Sequence, residues 1–200
     1  MGWQGMQFKD VFQEIGNVGT GSCMASLSHM IGEEVRYSPP QLIELEYGSL
    51  SDWFGNAGES VVGVLVPFDG DIRGMILHIY RNGMVRSILE GVLGEHSGEG
   101  ELDGQRLDLL REVGSIAAST YLTSLALYTD CRLNLSSAAV SMDMAGAIVT
   151  ELIGAAGLSE ETLCIGNHFQ AKGREEASHM LVIMQAQSAR KFVEALEVSE

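Results

Sequence analysis

Asp10-Val-Phe-Gln-Glu14-Ile-Gly-Asn17-Val-Gly-Thr-Gly21 returns 98 residues later as Asp108-Leu-Leu-Arg-Glu112-Val-Gly-Ser115-Ile. At that single offset Asp10 falls on Asp108, Glu14 on Glu112, Gly16 on Gly114, Ser26 on Ser124 and Leu27 on Leu125. Apolar residues coincide as well: Phe12 with Leu110, Ile15 with Val113, Val18 with Ile116. Helical periodicity alone repeats apolar positions, so matches of both polar and apolar residues point to an internal duplication. The reading is a single pseudo-symmetric domain over 1–200, made of two repeats at about 6–93 and 102–197.

Each repeat reads in the same order. In the first, Phe8 to Ile31 has apolar residues at helical spacing and stops at Gly32, a residue suited to a left-handed cap. Gln41 to Tyr47, Val61 to Phe68 and Arg73 to Tyr80 read as strands, the last two flanking a turn at Asp69-Gly70-Asp71. Asn82 is placed to cap a short helix with Val85, Ile88, Leu89 and Val92 on one face, ended by Gly94. A Gly- and Glu-rich linker from Gly94 to Gly104 follows. The second repeat reads as a helix from Leu102 to Tyr128, a strand from Arg132 to Met142 and a helix from Met144 to Ala156 capped by Asp143. Strands Thr162 to Phe169 and His179 to Gln187 come next, then a last helix from Ser188 through Leu196.

Composition narrows the function. The chain has 200 residues, 46% of them apolar, which at this size is enough to bury a core without disulfide staples. Twelve Lys and Arg against 27 Asp and Glu leave a net charge of −15, a surface that repels a phosphate backbone, so nucleic acid is not an expected partner. No stretch approaches the roughly 20 apolar residues of a membrane helix, and Met1 to Asp10 lacks the pattern of a secretion signal, so a cytoplasmic location is expected. Asn134-Leu135-Ser136 is then not a glycosylation site. Cys23, Cys131 and Cys164 form no C-x-x-C pair, and His29, His78, His96, His168 and His179 are scattered; no metal or cofactor of the protein's own is expected.

The chemistry is sought on the quoted helix. Positions 10, 14 and 17 return to one face, so a single stripe presents two side-chain carboxyl groups and an amide. Gly16, Gly19 and Gly21 cost roughly 3 kcal/mol together relative to Ala, which some close approach must offset. Two readings are open at this point: a face that lets an incoming partner dock, or a solvated polar stripe whose glycines pack against a neighbouring helix. A dinucleotide loop is not one of them, because the order is G-x-x-G-x-G and no strand precedes it.

Asp10-x3-Glu14-x2-Asn17-x22-Pro40 resembles the [D/S]-x3-E-x2-N-x22-P pattern of the CheC/CheX/FliY family of chemotaxis phosphatases. Glu14-Ile-Gly-Asn-Val-Gly-Thr-Gly21 looks like that family's E-I-G-N-I-G-x-G helix, and Val66-Pro-Phe-Asp-Gly-Asp-Ile-Arg-Gly74 resembles its F-x-G-x-x-G hairpin. With the duplication the likeness covers nearly the whole chain and is greatest to the CheC type. The resemblance implies an α+β fold, an antiparallel sheet of about six strands with two long helices packed on one face. It implies hydrolysis of the aspartyl phosphate of a CheY-type response regulator, with Asn17 orienting the attacking water and Glu14 pairing with a lysine of the regulator. Asp10 and Pro40 would support that site, and Mg2+ would belong to the regulator. An acyl phosphate is already activated, so an amide that aligns water suits the task. In the second repeat Asp108 and Glu112 are kept, but Ser115 replaces the amide and Ala138 the proline, so that site is expected to be degenerate. The competing reading is a non-catalytic adaptor that binds the receptor deamidase CheD or a phosphorylated regulator. By resemblance the helix at Asp143 to Ala156 lies in the half that would meet CheD, although its Met144, Ile148, Val149, Leu152 and Ile153 suit a core.

Overall fold

The computed structural model of the chain describes residues 6–43, 53–94, 101–155, 162–185 and 188. Two helices of 26 residues, α1 (Met6–Ile31) and α3 (Gly104–Thr129), start 98 positions apart. Gly32 (φ 72°) ends α1, its N–H donating to Ser28 O at 3.0 Å. The Asp103 carboxylate caps α3 by accepting from the Arg106 N–H at 2.9 Å, and Asp130 closes it at φ 53°. The other helices are α2 (Asn82–Leu93) and α4 (Ala145–Ala155).

Eight strand segments form one antiparallel sheet: β1 (Val35–Tyr37), β2 (Gln41–Ile43), β3 (Ser60–Gly70), β4 (Gly74–Tyr80), β5 (Leu133–Leu135), β6 (Ala139–Met144), β7 (Thr162–Ala171) and β8 (Ser178–Gln185). They occupy six places across it. Both β1 and β2 pair with β7, and both β5 and β6 pair with β3, so the order reads β1/β2, β7, β8, β4, β3, β5/β6. The first strands of each repeat thus cross over to complete the other repeat's hairpin, and the central pair β4–β8 joins the two, from Gly74↔Met184 to Ile79↔His179.

The expected elements are present, with corrections that have physical causes. Strand β1 was not anticipated; three residues carry no readable alternation, and β1 is held by the Val35 N–H on Ser28 Oγ (2.9 Å) and by register with β7. The predicted strand from Arg132 to Met142 is split into β5 and β6, as the Ser136 N–H turns to Pro67 O at 2.9 Å. Asn82 is the first helical residue of α2 rather than its cap, which is Arg81 with no side-chain capping bond, and Val92 is exposed. Asp143 lies in β6, and its carboxylate accepts from the adjacent Met144 N–H (2.7 Å). The first N–H groups of α4 go to the carbonyls of Glu59 and Ala57 instead, both at 2.9 Å. The linker's 95–100, the strand reading beyond Ile43, the Gly157 stop and the last helix beyond Ser188 fall outside the described residues.

Two apolar layers sandwich the sheet. Helices α1, α2 and α3 cover the face with Val62, Val64, Val66, Ile76, Tyr80, Ile165, Phe169 and Val182. Helix α4 and the segment Trp53-Phe54 cover the face with Val61, Leu77, Ile79, Leu181 and Ile183. Burial on both faces is why β8 reads as an unbroken apolar run. On α4, Ile148, Val149 and Leu152 are spent on this core while Met144 before it is exposed; the side chain of Ile153 is outside the described residues. No helix among the described residues is long and apolar enough to cross a membrane.

Candidate functional site

Helix α1 divides by face. Phe12, Ile15, Cys23, Met24 and Leu27 are buried against the sheet and α3, while Gln13, Glu14 and Asn17 face outward. Glu14 and Asn17 stand three residues apart, about 4.5 Å along the axis. Neither side chain makes a hydrogen bond or ion pair with another described residue, so a carboxylate and an amide are held side by side, unengaged, on a helix whose other face is immobilised in the core. Asp10 lies on α1 one turn earlier; its side chain is outside the described residues.

Pro40 is buried, and its ring lies against Gly16, where an added Cβ would stand 2.8 Å from Pro40 Cγ and 3.3 Å from Ile165 Cγ2. The proline therefore buttresses the turn between Glu14 and Asn17. Ser38 fixes the chain there, its N–H donating to His168 O (2.8 Å) and its hydroxyl oxygen accepting from the His168 N–H (3.0 Å). Gly19 faces the Tyr121 ring of α3, whose Cε2 would lie 2.6 Å from a Cβ. Next to it Ser124 donates to Ser22 Oγ at 2.6 Å and the Thr120 hydroxyl to Ser22 O at 3.4 Å. The close approach demanded by Gly16 and Gly19 is thus filled from within the chain, by Pro40 and Tyr121, which decides for internal packing, of the two readings open for these glycines. Gly21 is half-buried, its nearest neighbour the Tyr37 hydroxyl at 3.5 Å from a Cβ position.

The second stripe has the same frame and different ends. Glu112 is exposed and Gly114 receives Val64, whose Cγ1 would lie 2.7 Å from a Cβ. Ser115, half-buried, donates its hydroxyl to Arg111 O at 2.8 Å, so the group in the place of Asn17 is turned back onto its own helix. Asp108 pairs with Arg111 at 3.3 Å, and Ala138 packs against the core in place of a proline.

The remaining reactive side chains are embedded elsewhere. Burial pushes the Cys23 thiol up to about 12 and raises Cys164, so neither is a nucleophile at neutral pH. His78 is wholly buried, its pKa lowered to about 4 by that burial, with neither ring nitrogen bonded to a described residue. His179 is lowered to about 3 by burial, then by His168 and Arg81, inside a ring cluster with Trp53 and Phe54. Among the described residues no group of three His, Cys, Asp or Glu could hold a metal ion.

No protein-family model matches the chain. Its fold is that of FliY from Thermotoga maritima (TM-score 0.73, 21% identity, 96% of each chain). A structure described as a CheX-CheY-BeF3-Mg2+ complex from Borrelia burgdorferi contains a chain of the same fold (TM-score 0.55, 17% identity, 84% of this chain and 95% of that one). The α+β fold, a six-place antiparallel sheet with two long helices paired on one face, is thus one shared with FliY and CheX proteins. In sequence the chain is 27% identical to the CheY-P phosphatase CheC of Bacillus subtilis over 199 residues, 95% of this chain and 94% of that protein. Over nearly its whole length the chain is thus similar in sequence to a CheC and in fold to a FliY.

Proposed function

We propose that the protein is a phosphatase for the aspartyl phosphate of a CheY-type response regulator, acting through the first stripe. The observation that carries this reading is the pair Glu14 and Asn17, exposed and unengaged on a helix locked by Pro40 and Tyr121. A side chain that must reach into another protein's site cannot be occupied in its own. Asn17 contributes an acceptor oxygen and a two-proton donor, which together hold a water in line with the departing carboxylate. The Glu14 carboxylate receives a lysine of the regulator and sets the depth of insertion. Mg2+ comes with the regulator and spreads the charge of the transferring phosphoryl group there. Asp10 and Pro40 act through the helix. The second stripe is degenerate in this reading, because Ser115 is back-bonded and shorter than the amide.

Support comes from the likeness to a CheY-P phosphatase over nearly the whole of both chains, and from a fold shared with a CheX that forms a complex with CheY. The test charges candidate response regulators with a small phosphodonor and follows the aspartyl phosphate with and without this protein. A shortened lifetime is expected. Binding of the regulator or of CheD without any acceleration would replace the phosphatase by an adaptor.

A further inference from the structure

Exposed apolar side chains stand on two sides of the part of α1 that carries Glu14 and Asn17. On the strand side stands Tyr37, 46% exposed, its hydroxyl over Gly21 one turn beyond Asn17. On the helix side stands the end of α3. The sheet order reads the same from both ends about the antiparallel pair β4–β8, while α1 and α3 share one face. The pseudo-two-fold axis is therefore normal to the sheet, and the two long helices run antiparallel. Their level is set where Ser22 meets Thr120 and Ser124 and Gly19 meets Tyr121. Going back along α1 to Asn17 and Glu14 thus goes forward along α3 to residues 125–129. There Leu127 is 83% exposed and Tyr128 42%.

The second stripe lacks this helix-side rim. The positions 98 residues before Leu127 and Tyr128 hold His29, exposed and polar, and Met30, packed against the core. It does keep an apolar residue on the strand side, Leu135, at 38% exposure in the place of Tyr37. The asymmetry therefore lies in Leu127 and Tyr128, beside the one stripe that retains its amide.

We infer that Leu127 and Tyr128, with Tyr37 opposite, are the apolar contact surface for the phosphorylated response regulator engaged by Glu14 and Asn17. This rests on the phosphatase reading of that stripe. The occupant follows from continuity: a regulator seated over Glu14 and Asn17 lies level with the exposed end of α3 on one side and Tyr37 on the other. A chain of net charge −15 gains little from polar contacts with a partner whose phosphorylated pocket is itself acidic, whereas apolar rims supply affinity by area and keep water from the charges between them.

The experiment uses Leu127→Asp and Tyr128→Ser in the full chain, with His29→Asp as the matched control at the other stripe. Affinity is read with a response regulator carrying beryllofluoride and Mg2+, turnover by phosphate lifetime at low and saturating regulator, and mass by sedimentation. Leu127→Asp is expected to raise Kd and KM about tenfold while leaving kcat within twofold, and His29→Asp to change neither. Affinity within twofold of the parent for both rim variants, with the parent active, overturns the rim and leaves the Glu14–Asn17 reading standing. So does a parent dimer that the variants dissociate without loss of regulator affinity, which would make the rim a contact between copies. A parent that neither binds the regulator nor shortens its phosphate lifetime overturns both readings at once.

Discussion

Replacing Asn17 by alanine separates chemistry from docking and from folding. The side chain is exposed and bonded to no described residue, so its removal leaves no buried group unpaired and no cavity. Alanine is the better helix former by about 0.5 kcal/mol, so the melting temperature should stay level or rise slightly. Affinity for a regulator carrying a stable phosphoryl mimic should hold within about threefold, because Glu14 and the rims remain. Turnover is where the loss falls. A side chain that acts only by orienting water through hydrogen bonds is worth about 10² to 10³ in rate, roughly 3 to 4 kcal/mol in the transition state. Single-turnover decay of the regulator phosphate at saturating phosphatase measures this directly. If Asn17→Ala preserved the acceleration seen with the parent, the amide would not be the water-positioning group and the mechanism would be lost.

Glu14→Ala should act mainly on engagement, lowering kcat/KM by about tenfold or more through loss of a charged contact, and titration of the loss with salt would show its electrostatic origin. Ser115→Ala should leave dephosphorylation within twofold, as its hydroxyl serves Arg111 O; a tenfold fall would mean the second stripe works. Opposite stability changes are expected at two glycines of one helix. Gly19→Ala drives a Cβ to 2.6 Å from the Tyr121 ring and should cost about 1 to 3 kcal/mol, whereas Gly21→Ala meets only the Tyr37 hydroxyl at 3.5 Å and should gain up to about 1 kcal/mol, both read by chemical denaturation. His78 stays neutral in the fold down to about 4 but takes a proton near 6.5 when unfolded, so its contribution is complete above 6.5 and lost as pH falls toward 4. Each such group steepens the fall by up to about 1.4 kcal/mol per pH unit. His78→Leu should flatten the slope of unfolding free energy between pH 4.5 and 6.5, and an unchanged slope would count against a neutral buried His78.

The exposed and buried faces of α1 and α3 were legible in the chain itself, because helical spacing sorts Phe12, Ile15 and Leu27 from Glu14 and Asn17 without reference to anything distant. The glycine stop at Gly32 and the hairpin between β3 and β4 were legible for the same reason: they depend on neighbours in sequence. The motif's proline was visible as a spacing, but spacing says nothing of contact. Only the fold brings Pro40 onto Gly16 and Tyr121 onto Gly19, turning two costly glycines into the seats of a locked helix. The crossing of β1 and β2 onto β7, and of β5 and β6 onto β3, was equally hidden, since β1, β2 and β5 have three residues each and carry no period, and pairing is chosen by what edge is free. The inequality of the two stripes was legible too, in Ser115 and Ala138 standing where the first has Asn17 and Pro40. The structure adds a local reason: the Ser115 hydroxyl donates to the carbonyl of Arg111 one turn behind it, whereas the Asn17 amide bonds no described residue. Leu127 and Tyr128 come level with Glu14 and Asn17 because antiparallel packing reverses one helix against the other, and no linear pattern records which residues across 110 positions share a level.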